Sequence, residues 1–374
     1  MHIIEPLETR RHLHADMPGG SVWITDRGTL IVLGTAGDDK INVQPEADFL
    51  AGTRPEPSPL DRMRVQVNEA VTFVPLADVK RVHVEGRRGT DGIVIADFER
   101  PARLFGQGGG DGLYGSDGHD LLDGGGGNDT LKGGRGNDTM LGGEGDDSAG
   151  SFSRGLPLDY QADRYPGFAE YRYHYFDGEH DVIDGGPGYD YIDLSMSGAI
   201  YLNQDGLPND GARGEGDNIT GFERVRGTIR ADTIHGTGAD DEIDGNGGRD
   251  LIFGHGGNDK LESRDRAGRW RARLYGGAGN DLIDTTSAAL VDAGAGDDLL
   301  IARDLAAFKP IAFANPGGYD LLHLTDEPAG RAYSADDGRG LGAIEPDDGH
   351  ATLFAEGRGI DYTPLVEEPW WLVR

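Results

Sequence analysis

The sequence predicts an all-β chain assembled from repeated short strands, and three observations carry that prediction. From Gly106 to Gly150 the chain reads in uninterrupted steps of nine residues: GQGGGDGLY, GSDGHDLLD, GGGGNDTLK, GGRGNDTML and GGEGDDSAG. The sixth position of every step is aspartate, Asp111, Asp120, Asp129, Asp138 and Asp147, and the eighth is apolar, Leu113, Leu122, Leu131, Met140 and Ala149. Glycine dominates the first, second and fourth positions, where it lets the backbone take positive φ and turn tightly. Each step therefore reads as a six-residue turn followed by a three-residue strand with one inward side chain between two outward ones.

The pattern G-G-x-G-x-D-x-U-x closely resembles the RTX (repeats-in-toxin, haemolysin-type) family of calcium-binding nonapeptide repeats. The resemblance implies a right-handed parallel β-roll in which two repeats form one coil of eighteen residues and Ca2+ ions lie between turns stacked along an edge. Repeats i and i+2 then share an ion, so Asp111, Asp129 and Asp147 line one edge while Asp120 and Asp138 line the other. A metal also answers an energetic need. One buried apolar side chain per repeat returns less than ordering nine backbone residues costs, and calcium can take aspartate carboxylates together with turn carbonyls as ligands.

Taken in order, residues 1–19 form an N-terminal segment. Within it LETRRHLHA, Leu7 to Ala15, resembles an element near the start of many exported planctomycete proteins, matching at Leu7, Glu8, Arg10, Arg11, Leu13 and Ala15 and departing at His12 and His14. The resemblance implies export; a plain amphipathic segment is the alternative. Residues 20–105 read as a β-rich N-terminal cap, either wide coils or a small β-domain, with two degenerate repeats, GTAGDDKIN with Asp39 sixth and GRRGTDGIV with Asp91 sixth. Between them, residues 44–61 carry four prolines and read as a loop, and strand-like runs follow at Met63 to Val67, Val71 to Leu76 and Val79 to Val84.

After the first block, 106–150, comes an aromatic-rich insertion, 151–176, with eight aromatic residues in twenty-six. Its rings either pack over the roll or stack on sugar faces. Residues 177–226 hold a degenerate stretch, with Asp181 and the GGPGYDYID repeat around Asp190, and then spacer strands. The second block, 227–302, places Asp232, Asp241, Asp250 and Asp259 sixth and Ile234, Ile243, Ile252 and Leu261 eighth. Stacking pairs Asp232 with Asp250 and Asp241 with Asp259. An insertion at 263–275, with five arginines around Trp270, reads as a solvated hairpin, after which Asp281 and Asp298 continue the array at offsets of twenty-two and seventeen residues. Residues 303–374 read as a β-rich C-terminal cap, with one echo of the repeat at Asp320.

Composition bounds the function. With 36% hydrophobic residues, 63 glycines in 374 residues and a formal net charge of −31, the chain would read as disordered were its glycines and aspartates not periodic. Such a charge excludes nucleic acid as a partner and suits bound divalent cations. The chain has no cysteine, so disulfides and thiolate metal sites are not available to it. No apolar run is long enough to span a membrane, and the N-terminus shows no secretory apolar core.

The signatures H-E-x-x-H and G-x-S-x-G, which would mark a metalloprotease or a lipase, do not occur. Any two aspartates could be cast as a glycosidase pair, but a periodic array of them is better read as calcium ligands: Asp111, Asp120, Asp129, Asp138, Asp147, Asp190, Asp232, Asp241, Asp250, Asp259, Asp281 and Asp298. The leading expectation is a secreted or cell-surface calcium-binding protein, structural or adhesive and without catalysis. The alternative is an extracellular polysaccharide-binding or polysaccharide-modifying protein that uses the aromatic insertion.

Overall fold

A repeat with one inward apolar side chain cannot bury its own core, and stacking on neighbours supplies the missing surface. That is what the protein, seen as a computed structural model, does throughout. The structure describes residues 10–17, 19–46, 61–150, 180–195, 197–263, 272–286 and 288–303, and five strands between 312 and 361. The aromatic insertion, the first residues of LETRRHLHA and all of the arginine-rich insertion from 264 to 271 lie outside the described residues. The chain divides into two compact units, residues 1–191 with 216–220, and residues 192–215 with 221–374.

In the first unit the chain alternates between two parallel sheets. One sheet runs Thr29–Leu33, Arg81–Arg88, Ala102–Gly108, Leu121–Gly126, Thr139–Glu144, Val182–Asp184, Asn218–Thr220. The other runs Lys40–Glu46, Gly92–Ile95, Gly112–Tyr114, Thr130–Lys132, Ser148–Ala149. Register puts like on like: Leu113 pairs with Ile93 on one side and Leu131 on the other, and Leu122 with Leu104 and Met140. These side chains are fully buried, so the eighth position of every repeat feeds one continuous apolar column. The architecture is a parallel β-roll.

Two features differ from the sequence expectation. Three strands of the first sheet, Ala102–Gly108, Leu121–Gly126 and Thr139–Glu144, run to six or seven residues where three were expected, because pairing continues into the turn: Gly125 pairs with Gln107 and Gly143, and Gly126 with Gly108 and Glu144. Gly125 sits at φ +101°, and a Cβ there would meet the main chain of Gln107, so at this position glycine is what lets the two turns approach. The other difference lies at residues 44–46. Thr29–Leu33 and Lys40–Glu46 start the two parallel stacks, and Lys40–Glu46 includes residues 44–46, which the prolines had assigned to a loop. Antiparallel strands then close the edges: Gly20–Thr25 and Arg10–Met17 on one sheet, and the hairpin Arg62–Val67 with Ala70–Pro75 on the other. Solenoids need such atypical ends to avoid exposing an unpaired parallel edge.

The second unit repeats the plan. One parallel stack runs Arg224–Arg226, Glu242–Asp244, Lys260–Ser263, Leu282–Thr285, Leu299–Arg303, Tyr319–Thr325, and ends in antiparallel His350–Glu356 and Gly342–Asp347. The other runs Ile200–Leu202, Thr233–His235, Leu251–Gly256, Ala272–Ala278, Ala288–Ala295, Ala312–Ala314, with antiparallel Gly211–Ala212 and Ile360–Asp361 at its ends. Arg273 and Tyr275, counted in the arginine-rich insertion, belong to the strand Ala272–Ala278.

Candidate metal centre

The sixth-position aspartates close their turns and are almost completely removed from solvent: Asp111 and Asp129 are each 2% exposed. Burying a carboxylate is costly unless its oxygens find partners, and one oxygen of each does. The main-chain N–H of one aspartate donates to Oδ1 of the aspartate on the next coil. Along one edge of the first unit this runs Asp39 to Asp91 (2.8 Å), Asp91 to Asp111 (2.7 Å), Asp111 to Asp129 (2.7 Å), Asp129 to Asp147 (2.8 Å) and Asp147 to Asp190 (2.7 Å). Along the other, Ala102 donates to Asp120, Asp120 to Asp138 (2.8 Å), Asp138 to Asp181 (2.9 Å) and Asp181 to Asp217 (3.0 Å). In the second unit Ile200 donates to Asp232 and Asp232 to Asp250 (3.2 Å), while Asp241, Asp259, Asp281 and Asp298 are joined in the same way at 2.9 Å.

All twelve candidate ligands named from the sequence thus stand in these ladders. Four further aspartates do as well. Asp39, Asp91 and Asp181 had been noted in degenerate turns without being counted among the ligands, and Asp217 had been missed within a spacer that lacks the glycine spacing. Its signal was Ile219, two residues on at the apolar position, whose side chain is buried. A second, outer ladder at the fifth position also escaped notice. There the donation runs the other way: Asn258 donates to Asp240 Oδ1 (2.6 Å), Asn280 to Asn258 (2.9 Å) and Asp297 to Asn280 (2.9 Å). The recurrent Asn or Asp before the sixth-position aspartate was the sequence cue.

The second carboxylate oxygen is where a cation fits. Oδ2 of Asp91, Asp111, Asp129, Asp147, Asp259 and Asp281 is buried with no hydrogen-bond partner. It faces a glycine-lined hollow: a Cβ placed on Gly106 would collide with both Asp111 Oδ2 and the carbonyl oxygen of Gly124, and one on Gly254 with Asp259 Oδ2 and the Gly276 carbonyl. Two oxygens of partial or full negative charge converging without a donor between them call for a hard cation. Among the described residues no group of three or more acidic or histidine side chains is arranged to hold a metal ion by itself. An ion here would take its remaining ligands from turn carbonyls, as oxygen-seeking calcium readily does.

Electrostatics agree. Burial pushes Asp111 up to about 7, opposed by the N–H from Asp91 and reinforced by the neighbouring carboxylates Asp91 and Asp129. Asp250 and Asp281 are pushed up to about 7, and Asp129 and Asp259 to about 6, with burial the leading cause in each. Without a counter-charge the column resists full ionisation near neutral pH.

Against known families, three segments, residues 114–149, 226–261 and 273–287, match the model of the RTX calcium-binding nonapeptide repeat (4 copies). The chain carries RTX repeats. No curated protein matches it. RTX repeats bind Ca2+, several ions per repeat region, so the donor set described above and the family agree on the metal. The matched segments cover the turns of Asp120, Asp129, Asp138 and Asp147 and those of Asp232, Asp241, Asp250, Asp259 and Asp281. The ladder reaches beyond the RTX matches in both directions, to Asp39 and to Asp298.

Proposed function

We propose that this calcium-binding β-roll is a secreted or cell-surface protein with a structural or adhesive role, folding as it meets calcium, and that the sixth-position aspartates are its calcium ligands. The observation that carries this reading is the column of buried carboxylates whose Oδ2 atoms lack a donor. Such a column is at odds with folding in a compartment poor in divalent cations, because each ionised oxygen is buried without compensation. Extracellular calcium modules typically bind at about 10⁻⁴–10⁻³ M, which matches a protein that stays extended before export and closes afterwards. The net charge of −31 keeps the metal-free chain soluble, and calcium takes the place of the disulfides that a chain without cysteine cannot make.

Circular dichroism in chelator, followed by return of calcium, tests this. Loss of the β signal with chelator and recovery with calcium is the expected result, and an unchanged β spectrum in chelator overturns it.

The polysaccharide alternative rests on the aromatic insertion at 151–176, outside the described residues. Among described residues the main aromatic group is a stack on one strand set, His235 on Phe253 (4.5 Å between ring centroids) and Phe253 on Tyr275 (4.9 Å). The faces between these rings are spent on one another, while Tyr189 and Tyr201 are exposed.

A further inference from the structure

Ten of the sixth-position aspartates divide into two kinds by the residue four before each one, while Asp250, whose second residue Asn246 is left-handed (φ 64°), differs in that its Oδ2 accepts from the Ser263 hydroxyl (3.4 Å). Where that second residue of the turn is left-handed, as at Arg87 (φ 88°), Gln107 (φ 76°), Gly125 (φ 101°), Gly143 (φ 107°), His255 (φ 77°) and Gly277 (φ 122°), its N–H does not reach the carboxylate. These are the turns of Asp91, Asp111, Asp129, Asp147, Asp259 and Asp281, whose Oδ2 atoms are buried without a donor.

Where the second residue is Ser or Thr, it is not left-handed, and its N–H donates to Oδ2: Thr35 to Asp39 (2.5 Å), Ser116 to Asp120 (2.8 Å), Thr228 to Asp232 (2.7 Å) and Thr237 to Asp241 (2.7 Å). The threonine hydroxyl adds a second bond, from Thr228 to Asp232 Oδ1 (2.9 Å) and from Thr237 to Asp241 Oδ1 (3.0 Å). It also accepts the N–H two residues on, from Arg230 (2.9 Å) and Ala239 (3.1 Å). A side-chain hydroxyl bonding locally in this way is a self-closing turn. The oxygen that elsewhere faces a cation is already engaged.

We propose that the turns headed by Thr35, Ser116, Thr228 and Thr237 are closed by their own donors in place of calcium, and that calcium is held only by turns whose second residue is left-handed. The inference rests on the reading of sixth-position aspartates as calcium ligands and sharpens it: Asp39, Asp120, Asp232 and Asp241 serve the ladder but not the ion. Their placement gives them a task. Thr35 heads the first turn of the first unit's ladder, and Thr228 and Thr237 head the first two turns of the second block. Each unit thus has a metal-independent start on which the next coil can stack, in an array where ordering one coil lowers the cost of ordering its neighbour.

Calcium counting on the full chain by native mass spectrometry tests this with Asp241→Asn, which keeps one oxygen to accept the Thr237 N–H, and Asp259→Asn, which keeps one to accept the ladder N–H of Asp241. Asp259→Asn is expected to bind fewer ions than wild type, and Asp241→Asn the same number. An equal loss in both overturns the proposal. A wild-type chain that takes up no calcium overturns the underlying calcium reading and this one with it, and so is told apart from the first failure.

Hydrogen exchange on wild type in chelator needs no variant to fold. Amides of Thr228–Asp241 are expected to exchange about tenfold more slowly than those of Gly124–Asp129, the difference between a retained and an open local structure. Equal exchange in the two segments overturns the proposal.

Discussion

The N–H of Asp147 donates to Oδ1 of Asp190 at 2.7 Å, although 43 residues separate them along the chain. The same bond joins Asp129 to Asp147 over 18 residues at 2.8 Å. The ladder therefore resumes after the aromatic insertion with its geometry unchanged. Replacing residues 151–176 by a short Gly/Ser linker is expected to leave the calcium-loaded β spectrum intact and to move Tm by no more than a few degrees. Collapse of the fold would assign the insertion a part in the core.

Asp129 has two main-chain duties: Oδ1 accepts from Asp111, and its N–H donates to Asp147. Asp129→Ala strands the buried N–H of Asp111, which costs about 1–3 kcal/mol, and removes a carboxylate from the calcium column. Asp123, half-buried in the strand Leu121–Gly126, carries neither duty, and Asp123→Ala is expected to change stability by less than about 0.5 kcal/mol. Thermal melts with calcium present compare the two, and equal destabilisation contradicts the ladder's role.

Protons should partly replace calcium in the metal-free protein. Asp111, Asp250 and Asp281 rise from an ordinary 3.8 to about 7 in the folded chain, chiefly through burial. Between those values the folded state holds more protons than the unfolded one, so stability falls as pH rises. The contribution is complete below the unfolded value of 3.8 and is lost as pH passes through about 7. In chelator the β signal and Tm are expected to be higher at pH 5 than at pH 8. With calcium the dependence reverses, since protons compete for the same oxygens.

Gln107 occupies a left-handed turn position, φ 76°, that the next two coils on the same edge give to Gly125 and Gly143. Gln107→Gly should relieve strain worth about 1–2 kcal/mol, offset by the loss of an exposed bond to Glu85 and by the greater freedom of an unfolded glycine. A small net gain in Tm is the expected outcome. Gly127→Ala should act in the opposite sense and more strongly, because its Cβ would collide with the Gly109 carbonyl on the coil beside it. Paired melts of the two variants check the signs.

Calcium-driven folding should be cooperative, because an ion that bridges adjacent coils orders both turns and half-prepares the next site. Following the β signal during a calcium titration, a sigmoidal curve is expected, with its midpoint within about tenfold of 10⁻⁴ M. A hyperbolic curve saturating below about 10⁻⁶ M would point to a constitutively folded protein.

Much of this was legible in the sequence because side-chain periodicity is what a sequence displays. Leu113, Leu122 and Leu131 announced an inward column, and Asp111, Asp129 and Asp147 a shared edge. What was not legible lies in the main chain. Whether the main chain of the turn itself reaches Oδ2 of an aspartate goes with the φ of the residue four before it, and Gln107 and Thr237 look alike as departures from glycine while producing opposite turns. The six-residue strands were hidden for a related reason: pairing through Gly125 and Gly126 uses backbone groups that no residue type advertises. Asp217 was lost because its partner, Asp181, stands 36 residues away rather than 18.

The ladder also bears on how such a chain changes over generations. Each coil brings one N–H and one carboxylate oxygen to an edge, so duplicating a coil adds a donor together with its acceptor, and deleting one removes both. The pairing tolerates spacings of 17 residues between Asp281 and Asp298 and 22 between Asp259 and Asp281. Gains and losses of whole repeats, and of segments between them, therefore leave no orphaned group behind, and copy number can drift by unequal recombination without each new length having to be rescued by compensating substitutions.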